Sequence, residues 1–456
     1  MYKAYITRIK NLRPAVNADR LQLGECFGNT VCVNLNFVDN QLGIYFPSDG
    51  QLSVEFATVN NLLRQKDEDG NQTGGYMDPE KRNVKAISLR GNKSDGLFLP
   101  IEALVSFGDI STLKEGDCFS TFNGYLICQK YIPRTNPSKN SNKTGNRTRK
   151  KKVNVCLHFA EHADTEQLAY NLDVFKPNDE IEITLKMHGT SGRTGYLPIL
   201  QKLPWWKKLL GKKEEYRYGY ISGTRRVVLD NYDGGFYGDN SFRKPHSKFF
   251  EGKLWMGETV YYELVGFTTS GQPIMSTCDN KKLKDKEFVK QYGETTVFSY
   301  GCHPNGGYNS GRNESQSDMY VYRMTMTTPD GEVIEYSPDF MRYRCEMMGV
   351  KTVPVMWKGT IPYTVDDLES SVPGARIMMR DGKAGDWIKK VAEWYYDGPD
   401  PIGKTHIREG VVVRVVNRPK FTAYKHKNFE FKVLENIIKE DAIIPDMEER
   451  EELIKE

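Results

Sequence analysis

The run Ile181-Glu182-Ile183-Thr184-Leu185-Lys186-Met187-His188-Gly189-Thr190 decides how the rest of the chain reads. Its first five residues are strand-like, and His188-Gly189-Thr190 turns the chain, so Lys186 stands at the mouth of a tight turn. Four later segments acquire meaning beside that lysine: Gly223-Thr224-Arg225-Arg226, Tyr261-Tyr262-Glu263-Leu264, Arg408-Glu409-Gly410-Val411-Val412-Val413-Arg414 and Tyr424-Lys425-His426-Lys427. A lone Lys-x-x-Gly is commonly a surface lysine before a turn. Five such segments in fixed order carry information that none carries alone.

Composition sets the outer bounds. At 456 residues the chain accommodates two or three domains, each with its own core. It has no apolar run long enough to span a bilayer, and Met1-Tyr2-Lys3-Ala4-Tyr5 lacks the order of a signal peptide, so a soluble cytoplasmic protein without a membrane association is expected. Its eight cysteines include no Cys-x-x-Cys pair, which argues against a zinc ribbon and offers no disulfide framework. A net charge of +4 is too small to identify a nucleic-acid binder, so the placement of the charges matters more than their sum.

Together the five segments resemble the nucleotidyltransferase signature of polynucleotide ligases and mRNA capping enzymes. Lys186-x-His188-Gly189-Thr190, where DNA ligases usually carry Asp-Gly, is most similar to RNA ligases that seal nicks. The chemistry explains the residue types. A lysine amine attacks the α-phosphorus of a nucleoside triphosphate only when neutral, and burial beside other cations lowers its pKa. Lys425 and Lys427, alternate residues of a strand, direct two ammonium groups to one side, where they would hold the α-phosphate and its developing charge. Glu409 suits a divalent cation, Mg²⁺ or Mn²⁺, which prefers one or two carboxylates plus phosphate oxygens. By the resemblance, Glu263 takes the ribose hydroxyls, Tyr322 stacks on adenine, and Arg225 binds a phosphate of ATP or of a nucleic-acid 5′ end. Arg193 and Arg226 compete for the place of Arg225, and Tyr320 competes with Tyr322.

The amino-terminal third carries a second resemblance. Val16-Asn17-Ala18-Asp19-Arg20-Leu21, Gly43 to Gly50 and Ser94 to Pro100 lie among short alternating strands, and the first is similar to the opening of tRNA-binding OB-type barrels. A small barrel before a ligase core resembles the RNA ligase group typified by the Deinococcus enzyme. After Lys427 only about thirty residues remain, in an acidic helix-like pattern from Asp446 to Ile454, too few for a carboxy-terminal barrel. The expected fold class is therefore α+β. An OB-like barrel over 1–128 would bind nucleic acid, and a basic linker over 129–153 would join it to an antiparallel-sheet adenylation domain over 154–436. An acidic helix or tail would close the chain at 437–456.

Within that frame the linker has nine basic residues and no acidic one from Gln129 to Val153. It reads either as a solvated tether or as a strap on a phosphate backbone. Trp205-Trp206-Lys207-Lys208, continuing to Lys213, reads as a stacking surface for bases, a membrane-surface segment, or an insertion with its own small core. His158-x-x-Glu161-His162 matches an inverted zinc-protease motif. Its continuation reads instead as a helix over Thr165 to Leu172, capped by Asp164 or Thr165. Asp230 to Gly235 reads as a turn, and Gly301 to Gly307 as a mobile surface loop. A helix is expected over Ala384 to Tyr396, and strands over Trp255 to Thr268, Met319 to Thr327 and Gly410 to Val416. Met341 to Pro401 reads as a helical insertion.

The resemblance implies an ATP-dependent RNA ligase that joins 5′-phosphate and 3′-hydroxyl ends through lysyl-AMP on Lys186. Its substrate would be a nicked duplex with an RNA 3′-OH strand, and no obligate protein partner is implied. A capping-type guanylyltransferase and an RNA-binding protein with an inactive core are the alternatives.

Overall fold

The computed structural model describes residues 2–66, 72–132, 156, 158–162, 165–201, 215–229, 241–307, 314–362 and 384–441. Most of the basic linker, the Trp205–Lys213 segment, Asp230–Gly235 and the acidic tail lie outside them. The fold is mixed α/β with mostly antiparallel sheets, divided between two compact units, 1–135 with 429–445, and 136–428 with 446–456.

In the first unit the strands pair as several small sheets. Four strands, Leu97–Pro100, Leu42–Phe46, Ala4–Arg8 and Cys118–Phe119, form one, while Lys10–Pro14, Leu21–Cys26 and Asn29–Asn34 form another. Among the described residues no ladder closes, so the expected OB-like barrel is not what the hydrogen bonding shows. Ile6, Ile44, Phe46, Phe56 and Leu104 fill the core. Val16 is tied in by Asn92, whose side chain accepts from the Val16 N–H at 3.0 Å and donates to the Val16 carbonyl at 2.7 Å. The helix Phe429–Asp441 belongs here too, so the expected boundary at 436 falls inside it. Ion pairs from Lys432 to Asp95 and Lys439 to Asp49 hold it to these strands.

The second unit contains two five-stranded sheets. Its elements are β1 (Glu180–Lys186), β2 (Thr190–Gln201), β3 (Glu215–Gly223), β4 (Glu258–Gly266), β5 (Ser317–Thr327), β6 (Val333–Glu335), α1 (Pro338–Met348), β7 (Val355–Thr360), α2 (Ala384–Tyr396), β8 (Gly410–Val415) and β9 (Thr422–Lys427). One sheet runs Glu166–Gln167, β9, β8, β1, β7; the other runs β3, β2, β4, β5, β6. Only the turn Met187 to Gly189 separates β1 from β2, so the lysine run is the chain's passage from one sheet to the other.

Strand alternation then sorts the faces. Ile181 and Ile183 of β1, with Val411, Val413 and Val415 of β8, pack on Trp387, Ile388, Val391 and Ala392 of α2. Each such side chain removed from water contributes about 1.5–3 kcal/mol. Glu182, Thr184 and Lys186 consequently face the other way. In the second sheet Val260, Tyr262 and Leu264 of β4 pack with Met341, Cys345 and Met348 of α1. That helix starts at Ser337, which accepts from the Phe340 N–H, and stops at Gly349, whose φ of 72° suits a left-handed cap.

Two sequence expectations need correction. Thr165 to Leu172 is no α-helix: Glu166–Gln167 pairs in parallel with β9, and 3₁₀ turns follow at Leu168–Tyr170 and Leu172–Val174. The Asn171 side chain donates to the Gln167 carbonyl at 2.8 Å, a local bond of the kind that competes with helix propagation. Met341 to Pro401 is not merely an insertion either. β7 is the edge partner of the lysine strand and α2 is the helix beneath it.

Candidate active site

Register brings Lys186, Glu409, Lys425 and Lys427 together. Lys186 pairs with Gly410 across β1 and β8, and Gly410 pairs with Lys427 across β8 and β9. Glu409, one residue earlier and 3% exposed, thus lies beside both lysines: its Oε1 is 2.7 Å from Lys186 Nζ and 3.5 Å from Lys427 Nζ. His188 Nδ1 is 3.5 Å from the other carboxylate oxygen. Burial pushes the Glu409 carboxyl up, but Lys186, Lys427 and His188 outweigh it and hold the group ionised, with a pKa of about 2.

Lys425 pairs with Val412, itself paired with Thr184, so Lys425 shares the face of Thr184 and Lys186. Burial, then the charges of Lys427, Lys186 and Arg225, lower its ammonium to about 7. The sign for stability is definite. From about pH 7 to the ordinary lysine value of 10.5 the unfolded chain holds a proton here that the folded chain has released, so this site makes stability rise with pH. Lys425→Met should accordingly be more stable than wild type at pH 7, with the margin shrinking by pH 9. Urea denaturation at the two pH values reads it, and a constant margin would contradict the assignment.

Beside this cluster a cavity of about 140 Å³ opens between the sheets. Lys186, Ser191, Arg225, Glu263, Tyr322, Thr184 and His162 are among its lining residues. Glu263 arrives through β4, opposite Ser191, whose hydroxyl is 3.5 Å from Glu263 Oε2. The glycine of the turn is a steric requirement. A Cβ at Gly189 would meet the Leu264 carbonyl oxygen at 2.4 Å and Glu263 Cγ at 2.8 Å. The motif's glycine therefore lets the lysine strand close on β4.

Two of the competitors, Arg193 and Tyr320, lie off the cavity that Arg225 and Tyr322 line. Arg193 is 2% exposed, donates Nη1 to the Phe159 and Ala160 carbonyls and lies over the Phe159 ring at 4.2 Å. It is a structural staple. Arg225 instead lines the cavity from a turn in which the Thr224 N–H donates to the Val227 carbonyl. Tyr320 is buried, with its hydroxyl 3.4 Å from Asp318 and Lys351 over its ring. Tyr322 lines the cavity from an irregularity in β5: Tyr261 pairs with Arg323 and Tyr262 with Val321, which leaves Tyr322 outside the ladder. Bulges of this kind re-aim a side chain.

Part of the lining leaves no signature in the sequence. Arg342 of α1 grips Glu182 with Nη1 at 2.9 and 2.8 Å from the two carboxylate oxygens. Arg414 and Arg323 share Glu335, at 3.2 and 2.9 Å, and Phe421 lies against both guanidinium groups. His162 sits edge-on to Tyr322 with Arg323 Nη1 3.2 Å from its Nδ1. Burial, with Arg323 and Arg225 facing it, keeps that imidazole well below its ordinary range and neutral. His158 of the same motif is elsewhere, against Gly331.

The fold is thus of a mixed α/β class, with two antiparallel-based sheets both lining a cavity that Lys186 enters, and with Glu409 and Lys427 beside that lysine. Solved structures of Naegleria gruberi RNA ligase share the fold. The one with AMP and Mn superposes with a TM-score of 0.52 at 14% identity, covering 94% of this chain and 97% of that one. The one with PPi gives 0.51 at 15%, covering 94% and 97%, and an arginine-to-alanine variant with ATP and Mn gives 0.51 at 14%, covering 96% and 99%. The sequence matches no protein-family model and no curated protein.

Proposed function

We propose that this chain is an ATP-dependent RNA ligase of the nick-sealing, Deinococcus-type group. The observation that carries the reading is the 2.7 Å pairing of a buried, ionised Glu409 with Lys186, which lines one cavity together with Arg225, Glu263 and Tyr322. Five segments far apart in sequence supply these groups. The likeness in fold to an RNA ligase solved with AMP, ATP and Mn supports it.

In the first step the Lys186 amine attacks the α-phosphorus of ATP. A phosphoramidate N–P bond forms, the bond to the bridging oxygen breaks, pyrophosphate leaves, and the proton shed by the nitrogen passes to solvent. Lys425 and Lys427 face the charge that builds on the α-phosphate, Glu263 accepts from the ribose hydroxyls, Arg225 holds a phosphate, and Tyr322 stacks on adenine. Among the described residues no three acidic, histidine or cysteine groups converge, so a divalent ion would be held by Glu409 together with phosphate oxygens, a donor set that Mg²⁺ or Mn²⁺ accepts. Such an ion would screen the triphosphate charge. Glu409, holding such an ion, would be drawn from the Lys186 side chain that it otherwise pairs. AMP then passes to a 5′-phosphate, and a 3′-hydroxyl displaces it to seal the strand.

The amino-terminal unit, read as an OB-like module, would grip the duplex. All eight cysteines are free, as a reducing cytoplasm would leave them, and no described helix is long and apolar enough to cross a membrane.

Sealing tests the proposal: a duplex with a single 5′-phosphate nick, its 3′-hydroxyl strand ending in RNA or in DNA, incubated with ATP or GTP. Joining with ATP and an RNA 3′ end is expected. Nucleotide transfer from GTP alone would mean a capping enzyme. Tyr322→Ala should raise the KM for ATP by roughly 5- to 100-fold, the weight of one base stacked on an aromatic ring, whereas Tyr320→Phe should leave it unchanged; equal effects would refute the assignment.

A further inference from the structure

Behind the turn that follows Lys186 lies a buried group of side chains that takes no part in the chemistry above. We propose that Tyr300, seated on His406, is a positioning residue that fixes this turn and thereby aims the Lys186 amine. The inference rests on reading Lys186 as the group that takes the nucleotide.

Tyr300 is 2% exposed, and its hydroxyl accepts the His188 backbone N–H at 2.7 Å. Phe298, two residues earlier, meets the His188 imidazole edge-on at 4.5 Å. His188 is thus held by backbone and by ring. Its Nδ1 lies 3.5 Å from Glu409 Oε2, and Glu409 Oε1 lies 2.7 Å from Lys186 Nζ, so the hold on His188 passes to both ends of the ion pair.

His406 is the support beneath. It has no exposed surface, and the rings of Phe298 and Tyr300 stand edge-on to it at 5.2 and 4.5 Å. Its Nδ1 lies 2.9 Å from the Ile407 carbonyl and so carries the proton, while Nε2 has no hydrogen-bond partner, with Asp400 3.9 Å away. Asp400 is committed elsewhere, accepting from the N–H groups of Ile402, Gly403 and Lys404. That turn closes on the tyrosine's own loop: a Cβ at Gly403 would come within 2.6 Å of the Gly301 nitrogen. The segment from Gly301 is therefore anchored at its start, where a mobile loop was expected.

The backbone carries a further sign. Tyr300 has φ +49°, in the left-handed region that a bulky residue avoids. Such strain persists where the surroundings over-determine the conformation, and here the hydroxyl and the ring are both fixed. Neither Tyr300, Phe298 nor His406 lines the cavity, and what they touch in the turn is His188, through its backbone N–H and its ring.

The test separates the step that uses the amine from the step that does not. Tyr300→Phe removes only the acceptor for the His188 N–H. Rapid-quench measurement should show lysyl-AMP formation slowed about 10- to 100-fold, the scale of a small misplacement of a reacting group. The KM for ATP should stay within about twofold, since ground-state binding is untouched, and sealing of a pre-adenylated nick should proceed at the wild-type rate. His406→Gln should give the same split. Tyr300→Phe forming lysyl-AMP at the wild-type rate, or losing both steps equally, would overturn the inference. A wild-type chain that forms no lysyl-AMP would overturn the reading of Lys186, and this inference with it.

Discussion

Glu409→Gln should slow transfer of AMP to the protein by about 10²- to 10³-fold, the range seen when one preorganised electrostatic group is removed from a reacting phosphate or carbonyl. The substitution keeps the shape and removes the charge that Lys186, Lys427 and His188 all face. Two consequences follow. The amide offers a divalent ion a poorer ligand, and the lysines lose the anion that gathers them. The effect should fall on the rate of transfer and persist at saturating ATP. Quenched-flow labelling with wild type and Glu409→Gln in parallel, with near-UV circular dichroism to show that both are folded, measures it. A rate within threefold of wild type would remove Glu409 from the mechanism.

Arg344→Ala should cost about 3–5 kcal/mol of stability, the penalty for leaving a buried charge without its partner. Glu258, fully buried at the start of β4, takes a two-pronged bond from Arg344, Nε at 2.8 Å and Nη2 at 2.7 Å. Tyr336 and the Trp255 N–H complete its shell, and the guanidinium lies 3.7 Å from the Trp255 ring centroid. This knot fastens α1 to the strand that carries Glu263 five residues on. With a total stability of roughly 5–15 kcal/mol for a domain, the loss should move the urea midpoint far to the left. Replacing both partners, as Glu258→Gln with Arg344→Met, should recover much of it, because the penalty belongs to the lone charge. A single variant that loses less than ~1 kcal/mol, the size of an ordinary substitution, would show that the pair carries little.

What the sequence disclosed was periodic or local. The helix Ala384–Tyr396 spans the expected residues, since its apolar positions recur at helical spacing. The strand of Glu263 and the one that follows Glu409 lie within the expected stretches, shorter at Trp255–Gly257 and Phe267–Thr268 in the first and at Val416 in the second, while the strand of Tyr322 starts two residues earlier, at Ser317. Tertiary facts were invisible. Arg193 and Arg225 look alike as letters, and only the carbonyls of Phe159 and Ala160 make the first a staple. The pairing of β7 with the lysine strand bridges more than 170 residues, so nothing in Val355–Thr360 announced it. Tyr300 and His188 are 112 residues apart, and a hydroxyl serving a distant backbone N–H leaves no pattern in the chain. The ion pairs of Arg342 with Glu182 and of Arg414 with Glu335 escaped for the same reason. The amino-terminal strands show the converse: short alternating runs predict strands but do not say whether they close a barrel, and here they pair as separate small sheets.

The central claim is that Lys186 takes AMP from ATP. Incubation with ATP or GTP labelled at the α-phosphorus, in the presence of Mg²⁺ or Mn²⁺, followed by denaturing electrophoresis of wild type and Lys186→Ala, tests it most directly. The account predicts label from ATP on the wild-type chain, acid-labile as a phosphoramidate, and none on the variant. Label on both chains, or on neither, would contradict it.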